Sequence, residues 1–523
     1  MERLGKVLWS IGTCACLLGI VSARGAAQTG SSYFKIEVVD QQTGRGVPLV
    51  ELETTHHVRY VTDSRGIVAF NEPGLIDQDV FFFVRSHGYS MPKDGFNYRG
   101  LKLHVRAGGS AQIAVQRLNI AERLYRITGE GVYRDTVLVG EKAPILQPLF
   151  NGQVTGQDTV EAIPYNHKIY WFWGDTSRAS YPLGNFATSG ATSALPRQGG
   201  LDPAIGIDLT YFVNPEGFCR GMASLPEPGL VWIDGLMTLR DTEGREMLLA
   251  RFERLKELGK PLECGLLRFN DTTQKFERIA RFNLSNPITP QGHPFHHTVQ
   301  GTDYLYFPTP YANLRVRATL ADIEDQTHYE AYTPLVSNSA YEGVYSKIER
   351  DAVGKPVWGW KRGAAPLSPP QQHALIAAGK MTIGDCPFAC QDLDTGKSVE
   401  AHGGSVAWND YRKRWIMIFV QANGSSYLGE VWYAEAEAPE GPWRTAKKIV
   451  THDRYTFYNP TQHPFFDQNG GRTIYFEGTY TNQFTGNPET PATPRYEYNQ
   501  MMYRLDLADT RLHTKTAASK GAK

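Results

Sequence analysis

The 523-residue sequence carries no surplus of either charge: 54 Lys plus Arg stand against 54 Asp plus Glu. Nucleic-acid binders usually show a clustered basic excess, and this balance argues against one. Cysteine is scarce, with six in all, and two of these, Cys14 and Cys16, lie inside an N-terminal apolar run. No second apolar run follows; nothing beyond residue 23 is apolar enough to cross a bilayer. Charged residues make up only 21% against 41% hydrophobic, which excludes disorder for most of the chain. No histidine sits near Cys386 and Cys390 at the spacing of a two-Cys, two-His site, so neither a metal nor a cofactor is expected.

What is present points to β-structure. Aromatic residues reach 12%, with 51 Gly and 31 Pro, a mixture suited to many short strands and turns. The chain starts with a positive excess, continues apolar or small from Val7 to Ala23, and ends that run on the small-residue spacing Val21-Ser22-Ala23. Residues 1–23 therefore read as an export signal, placing the mature protein in a periplasmic or extracellular compartment. Seventeen residues is short for a membrane span, and apolar residues continue past both Cys14 and Cys16, against a lipoprotein cut. In an oxidising compartment Cys386-Pro-Phe-Ala-Cys390 is expected to close a small loop, leaving Cys219 and Cys264 to pair or stay buried.

Residues 33–117 alternate apolar and polar positions in short runs, as in Phe34-Lys-Ile-Glu-Val-Val and Val80-Phe-Phe-Phe-Val, which predicts a small antiparallel β-sandwich. Its turn Thr62-Asp63-Ser64-Arg65-Gly66 resembles that of transthyretin-like and carboxypeptidase-regulatory-like accessory domains, which implies scaffolding. A helix-like stretch, Ile120–Ile127, leads into the larger part, residues 130–508.

There a unit of two hairpins recurs five times, its first strands beginning near Asp158, Leu230, Phe295, His402 and Tyr458. Four strands repeated five times predict an all-β chain whose larger part is a five-bladed β-propeller. Between the third and fourth repeats, Ser368 with Pro369 and Gln371 reads as the capped start of a short helix that stops at Gly379. The tail, residues 509–523, is expected to be disordered.

In such an arrangement, polar residues near the start of each inner strand converge on one pocket. These are Asp158, Asp234, His296 or His297, His402, and Asn459 with His463. The second strand of the first repeat returns to the same end and finishes Trp173-Gly174-Asp175-Thr176, so Asp158 and Asp175 should lie together. Paired carboxylates serve glycoside cleavage, one protonating the departing oxygen and one acting ionised as nucleophile or base, and either aspartate can take either role. Trp173, Arg178 and their neighbours would add aromatic faces and donors for a sugar. Gly-Asp-Thr after a strand also serves simply as a turn. Trp232, Trp408, Trp415, Trp432 and Trp443 read as packing between repeats.

Asp158, Trp173-Gly174-Asp175-Thr176 and Ala438-Pro-Glu-Gly-Pro-Trp443 together resemble the five-bladed propeller glycosidases, in particular the bacterial family related to endo-D-arabinanases. The resemblance spans roughly residues 140–508 and implies a glycan-cleaving enzyme with Asp158 and Asp175 as its catalytic carboxylates. No third carboxylate stands where arabinanase and fructosidase relatives have a separate acid; Glu400, Asp234 and Glu477 are the candidates. Two other functions stay open: a polysaccharide lyase with His296, His297 or His402 as base, and a propeller that binds glycan without cleaving it.

Overall fold

The computed structural model describes residues 32–487 and 489–513. The expected export signal, residues 1–23, and residues 514–523 of the expected tail lie outside them. The described residues are all-β apart from three short α-helices, the longest of them Pro369–Ala377, and single-turn 3-10 helices, and no helix among them is long and apolar enough to cross a membrane. That longest helix starts as predicted, with the reciprocal Ser368/Gln371 capping box, and ends before Gly379 at φ +67.

Residues 34–117 form two four-stranded sheets around one core. Alternation places Phe34, Ile36 and Val38 of one sheet against Val80, Phe82 and Val84 of the other. One pair departs from the antiparallel expectation: Phe34–Asp40 and Ser110–Arg117 run parallel, which the long connection between them permits.

Beyond the sandwich, Val154–Gln157, Thr176–Arg178 and Tyr181–Asn185 form a small three-stranded sheet, and five larger sheets follow in chain order, their leading hairpins opening with Val160–Tyr165, Leu230–Arg240, Phe295–Val299, Ala401–Asn409 and Thr456–Gln462. Each opening strand pairs with the next strand as the five repeats require. The sheets pack as a ring. Phe172 of the first joins Val231 and Leu248 of the second; Leu249 of the second joins Leu305 and Phe307 of the third. Phe295 of the third meets Trp415 of the fourth, and Ile416 and Tyr433 of the fourth meet Ile474 and Tyr503 of the fifth. The last cluster returns to the start, with Tyr475 and Met502 of the fifth sheet on Trp171 and Trp173 of the first.

The fifth sheet has only three strands from its own part of the chain. Its fourth is Glu122–Arg126, paired antiparallel to Asn499–Asp506. This corrects the helix-like reading of Ile120–Ile127 and moves the start of the larger unit upstream of residue 130. All five of its residues are buried, and an open sheet edge there offered the backbone partners that helical periodicity did not reveal.

The same strand ties the sandwich to the ring. Arg123 is buried, donates to the carbonyls of Pro48 (3.1 Å) and His87 (3.0 Å), and lies 5.1 Å over the Tyr89 ring. The Thr62–Gly66 turn docks too: Asp63 accepts the Thr136 N–H and hydroxyl, both at 2.7 Å.

The four described cysteines are all free and buried, correcting the expected Cys386–Cys390 loop. Each fills a different core: Cys386 beneath the Pro369–Ala377 helix, Cys390 beside Trp443, Cys219 near Tyr211 and Cys264 near Leu266. Residues 509–513 are ordered, contrary to expectation, because Asp509 caps a 3-10 turn and Leu512 is buried in the core between the fourth and fifth sheets.

His87 and His452 meet where the sandwich covers the ring, 6.3 Å apart between ring centres. The His452 Nδ1 faces the Gly429 carbonyl at 2.9 Å, so it donates there and its Nε2 accepts from the Tyr503 hydroxyl, also at 2.9 Å. Burial pushes His87 down to about 3, with Arg123 adding repulsion, and holds His452 well below its ordinary range. The unfolded chain takes up these protons near pH 6.5 and the folded one does not, so stability is complete above pH 6.5 and falls as pH drops toward 3. Each histidine is expected to cost about 1.4 kcal/mol per pH unit in that window. Chemical denaturation midpoints measured from pH 7 to 4.5 check this, and His87→Gln should flatten the slope.

Candidate active site

Asp158 and Asp175 meet because the first hairpin brings the two ends of its strands together. Val160 pairs with Trp173, and the Gly174 N–H donates to the Asp158 carbonyl at 2.9 Å. A Cβ at Gly174 would stand 2.3 Å from Asp158 Oδ1, so glycine is needed here for the carboxyl to lie across the turn. Thr159 turns the chain into its strand at φ +44, a strained conformation for a β-branched residue. It is held there from two directions: its N–H donates to Thr479 Oγ1 at 2.9 Å and its hydroxyl accepts from Asn459 Nδ2 at 2.9 Å.

The Tyr458 hydroxyl donates to Asp158 Oδ2 at 2.7 Å. Burial raises the Asp158 carboxyl above its usual range, opposed by the Tyr458 and Tyr498 hydroxyls and the Asp175 amide, which favour the charged form. Asp175 has one donor, Trp232 Nε1 at 3.1 Å. Burial first and the Asp158 charge second push it up to about 6. Two carboxyls thus share a site, both raised by burial but with unequal supplies of donors.

Deeper in the ring lies a second set of ionisable groups. His293, just before the third sheet, faces Glu161 at 3.6 Å and Thr461 at 2.8 Å. Burial pulls its imidazole down, but the charges of Glu161, Asp234 and Glu477 outweigh this and hold it above its ordinary value. Asp234 accepts the Gly292 N–H at 2.8 Å and is pushed up to about 6, by burial first and by Glu161 second. Asp158, Asp234 and His293 are half-buried. Glu477 is fully buried and engaged with His463 at 2.6 Å. No group of three or more His, Cys, Asp or Glu among the described residues is arranged to hold a metal ion.

The other expected site residues divide. Asn459 is brought in as the prop of Thr159, and Asp234 lies on the deeper wall. His402 is at the rim, its ring 6.3 Å from that of Tyr427. Phe484, 56% exposed, continues the rim 5.7 Å from Tyr458. Trp173 is corrected: it is buried, stacked on Trp171 at 6.3 Å and facing Tyr211, because its alternation points it into the core between the first and fifth sheets. Arg178 packs 5.0 Å over Phe218. His296 and His297 do not join the aspartates: His296 binds Asp303 at 2.8 Å and the Thr238 carbonyl at 2.9 Å, and His297 packs on Tyr306 and Trp415. They are the second and third residues of Phe295–Val299, where their side chains meet Asp303, Tyr306 and Trp415 instead of the aspartates.

No known family model matches the sequence, and no curated protein matches it. Solved structures do. A putative exo-β-1,3-galactanase from Bifidobacterium bifidum is similar at 10% identity, TM-score 0.33, over 74% of this chain and 94% of that one. An α-L-arabinanase from Penicillium chrysogenum matches at 11% identity, TM-score 0.33, over 75% and 98%. A thermostable family-43 glycoside hydrolase matches at 10% identity, TM-score 0.30, over 66% and 88%. Likeness at this level decides nothing about chemistry, which rests on the residues above.

Tyr458, Tyr498 and Glu161 were not singled out from the sequence as site residues; Trp232, read there as packing between repeats, instead donates to Asp175, and His293 was noticed only as part of the run His293-Pro-Phe-His296-His297. Tyr458 had a signal, standing next to Asn459; Tyr498 enters from a loop before Asn499–Asp506 and had none. Removing the Asp158 charge in Asp158→Asn should lower the Asp175 pKa from about 6 while leaving it above 3.8, since burial is the larger cause. Carboxyl 13C titration by NMR checks this; an unchanged Asp175 would mean the two groups are uncoupled.

Proposed function

We propose that the chain is an exported glycoside hydrolase, with the five sheets as blades of a five-bladed β-propeller and the N-terminal sandwich as an accessory domain. Asp158 and Asp175 would cleave a glycosidic bond of a polysaccharide or oligosaccharide at the mouth of the central channel. The observation that carries this reading is the asymmetry of the pair: Asp175 keeps a proton up to about pH 6 beside an Asp158 supplied with donors for its charge. Export is supported by the charged start, the apolar run and the Val21-Ser22-Ala23 spacing.

In this mechanism Asp175 protonates the departing oxygen and becomes an anion; as Asp158 spends its own charge in attack or in taking a proton from water, the repulsion that held the proton on Asp175 falls and the transfer is eased. Asp158, ionised and held by Tyr458, acts as nucleophile or as base toward water. Tyr427, Phe484 and Trp232 give sugar faces apolar surfaces to pack on around the opening. A lyase with a histidine base draws no comparable support, since His296 is committed to Asp303 and a backbone carbonyl.

Incubating the protein with plant, algal and bacterial-wall polysaccharides should release reducing ends without ultraviolet absorbance. Asp158→Asn and Asp175→Asn should each lower turnover by about 10³-fold or more with an unchanged melting temperature; near-normal turnover in both would sink the assignment. Gly174→Ala, which displaces the Asp158 carboxyl, should lose about 10²-fold. Because the protonated Asp175 is the active form, kcat/KM should fall as pH rises through about 6. A rate that instead climbs through that range would reverse the two roles.

A further inference from the structure

The inner strand of the fourth sheet, Ala401–Asn409, touches the aspartate site at one end only. Gly403 faces Asn459, the prop of Thr159. Trp408 stands five residues further along, about 17 Å away at ~3.3 Å per residue. There, between the third and fourth sheets, is a cavity of about 680 Å3. Its walls include His297, Tyr306, Arg315, Trp360, Trp408 and Trp415, and Glu440 of the Ala438–Trp443 motif lies at its edge.

These residues are arranged for a ligand with both apolar faces and hydroxyl groups. Trp408 is 42% exposed, yet its ring is fixed: Nε1 donates to Asp410 at 3.1 Å and the indole stands edge-on to Trp415 at 5.7 Å. A rigid exposed indole is a platform that loses little freedom when something stacks on it. Across the cavity, Trp360 packs edge-on to Tyr306 at 5.2 Å and beneath Arg315 at 4.5 Å. Arg315 is itself fixed by Glu330 at 2.8 and 2.7 Å and by the Tyr306 hydroxyl at 3.0 Å.

Polar capacity is left over. The ring nitrogens of His297 make no hydrogen bond among the described residues, and burial followed by Arg315 lowers its pKa, so it presents one donor and one acceptor at neutral pH. The Glu440 carboxyl is half-buried at the same edge. Flat aromatic faces set among a neutral imidazole and a carboxylate suit the apolar face and hydroxyl rim of a sugar ring, and the volume holds a short saccharide. Glu440 already accepts from the Trp360 side chain, but a purely apolar ligand would leave the His297 ring unpaired.

We propose that this cavity is a second glycan-binding site, separate from the aspartate pair, that holds a saccharide segment on the Trp408 indole. It stands whether or not Asp158 and Asp175 cleave.

Native affinity electrophoresis of the Asp175→Asn chain through gels containing soluble xylan, arabinan, galactan or β-glucan tests it. At least one polysaccharide should retard the protein. Adding Trp408→Ala should weaken that retardation at least fivefold, Trp408→Phe should restore part of it, and His297→Ala should weaken it independently. An unchanged melting temperature in the Trp408 variants shows that the exposed ring is not needed for folding. No retardation on any of the four, or retardation indifferent to both Trp408→Ala and His297→Ala, overturns the proposal. Retardation lost only when Tyr458→Ala is added places all binding at the aspartate site and overturns it equally.

Discussion

The pairing of Glu122–Arg126 with Asn499–Asp506 is the contact on which the rest of the molecule depends. A ring of sheets has no stable open form, because each sheet is hydrophobic on both faces and must be covered by two neighbours. Trp171 and Trp173 of the first sheet are buried only if Tyr475 and Met502 of the fifth lie against them. The chain achieves this by lending its last sheet a strand from before the first. The exposed edge that would otherwise invite pairing with another molecule disappears in the same step. Arg123, fixed by carbonyls of the sandwich, makes that strand a shared wall of both parts, so the sandwich is structurally continuous with the ring rather than tethered to it.

The aspartate pair inherits its geometry from this closure. Asp158 and Asp175 belong to the first sheet, Trp232 to the second, and Tyr458, Asn459 and Thr479 to the fifth. The left-handed Thr159 is affordable only because two residues from the fifth sheet hold it. Donors reach Asp158 across the boundary between the two ends of the ring, while Asp175 is served from the other side by one indole. The difference in their donors therefore reflects which sheet each faces, not any difference between two aspartates of one hairpin.

Much of this was legible in the sequence. The five repeated hairpins, the alternating sandwich strands and the capped helix after Ser368 follow from periodicity and turn chemistry, which are local. The Asp158/Asp175 pair was legible because both residues flank a single hairpin whose register fixes their approach. Glu122–Arg126 was not, since its partner lies some 375 residues later and its own run Ile120–Ile127 also fits a helix. Tyr498 was hidden, and Trp232 was read as packing, for the same reason: each reaches the site from a different sheet. Trp173 was misplaced by proximity in sequence: it is the last residue of its strand and shares the buried face of Trp171, two residues earlier, which the neighbouring sheets cover.

The position of the closing strand also sets the order in which the protein comes into being. Of the last sheet's four strands, one is made among the first and one among the last. Until Asn499–Asp506 leaves the ribosome, Glu122–Arg126 has no partner, Thr159 lacks its hydrogen bond to Thr479, and Asp158 lacks both of its tyrosines. A nascent chain carrying both aspartates is therefore without its site until the last strand of the fifth sheet has been made. Whatever chemistry the pair performs is withheld until then.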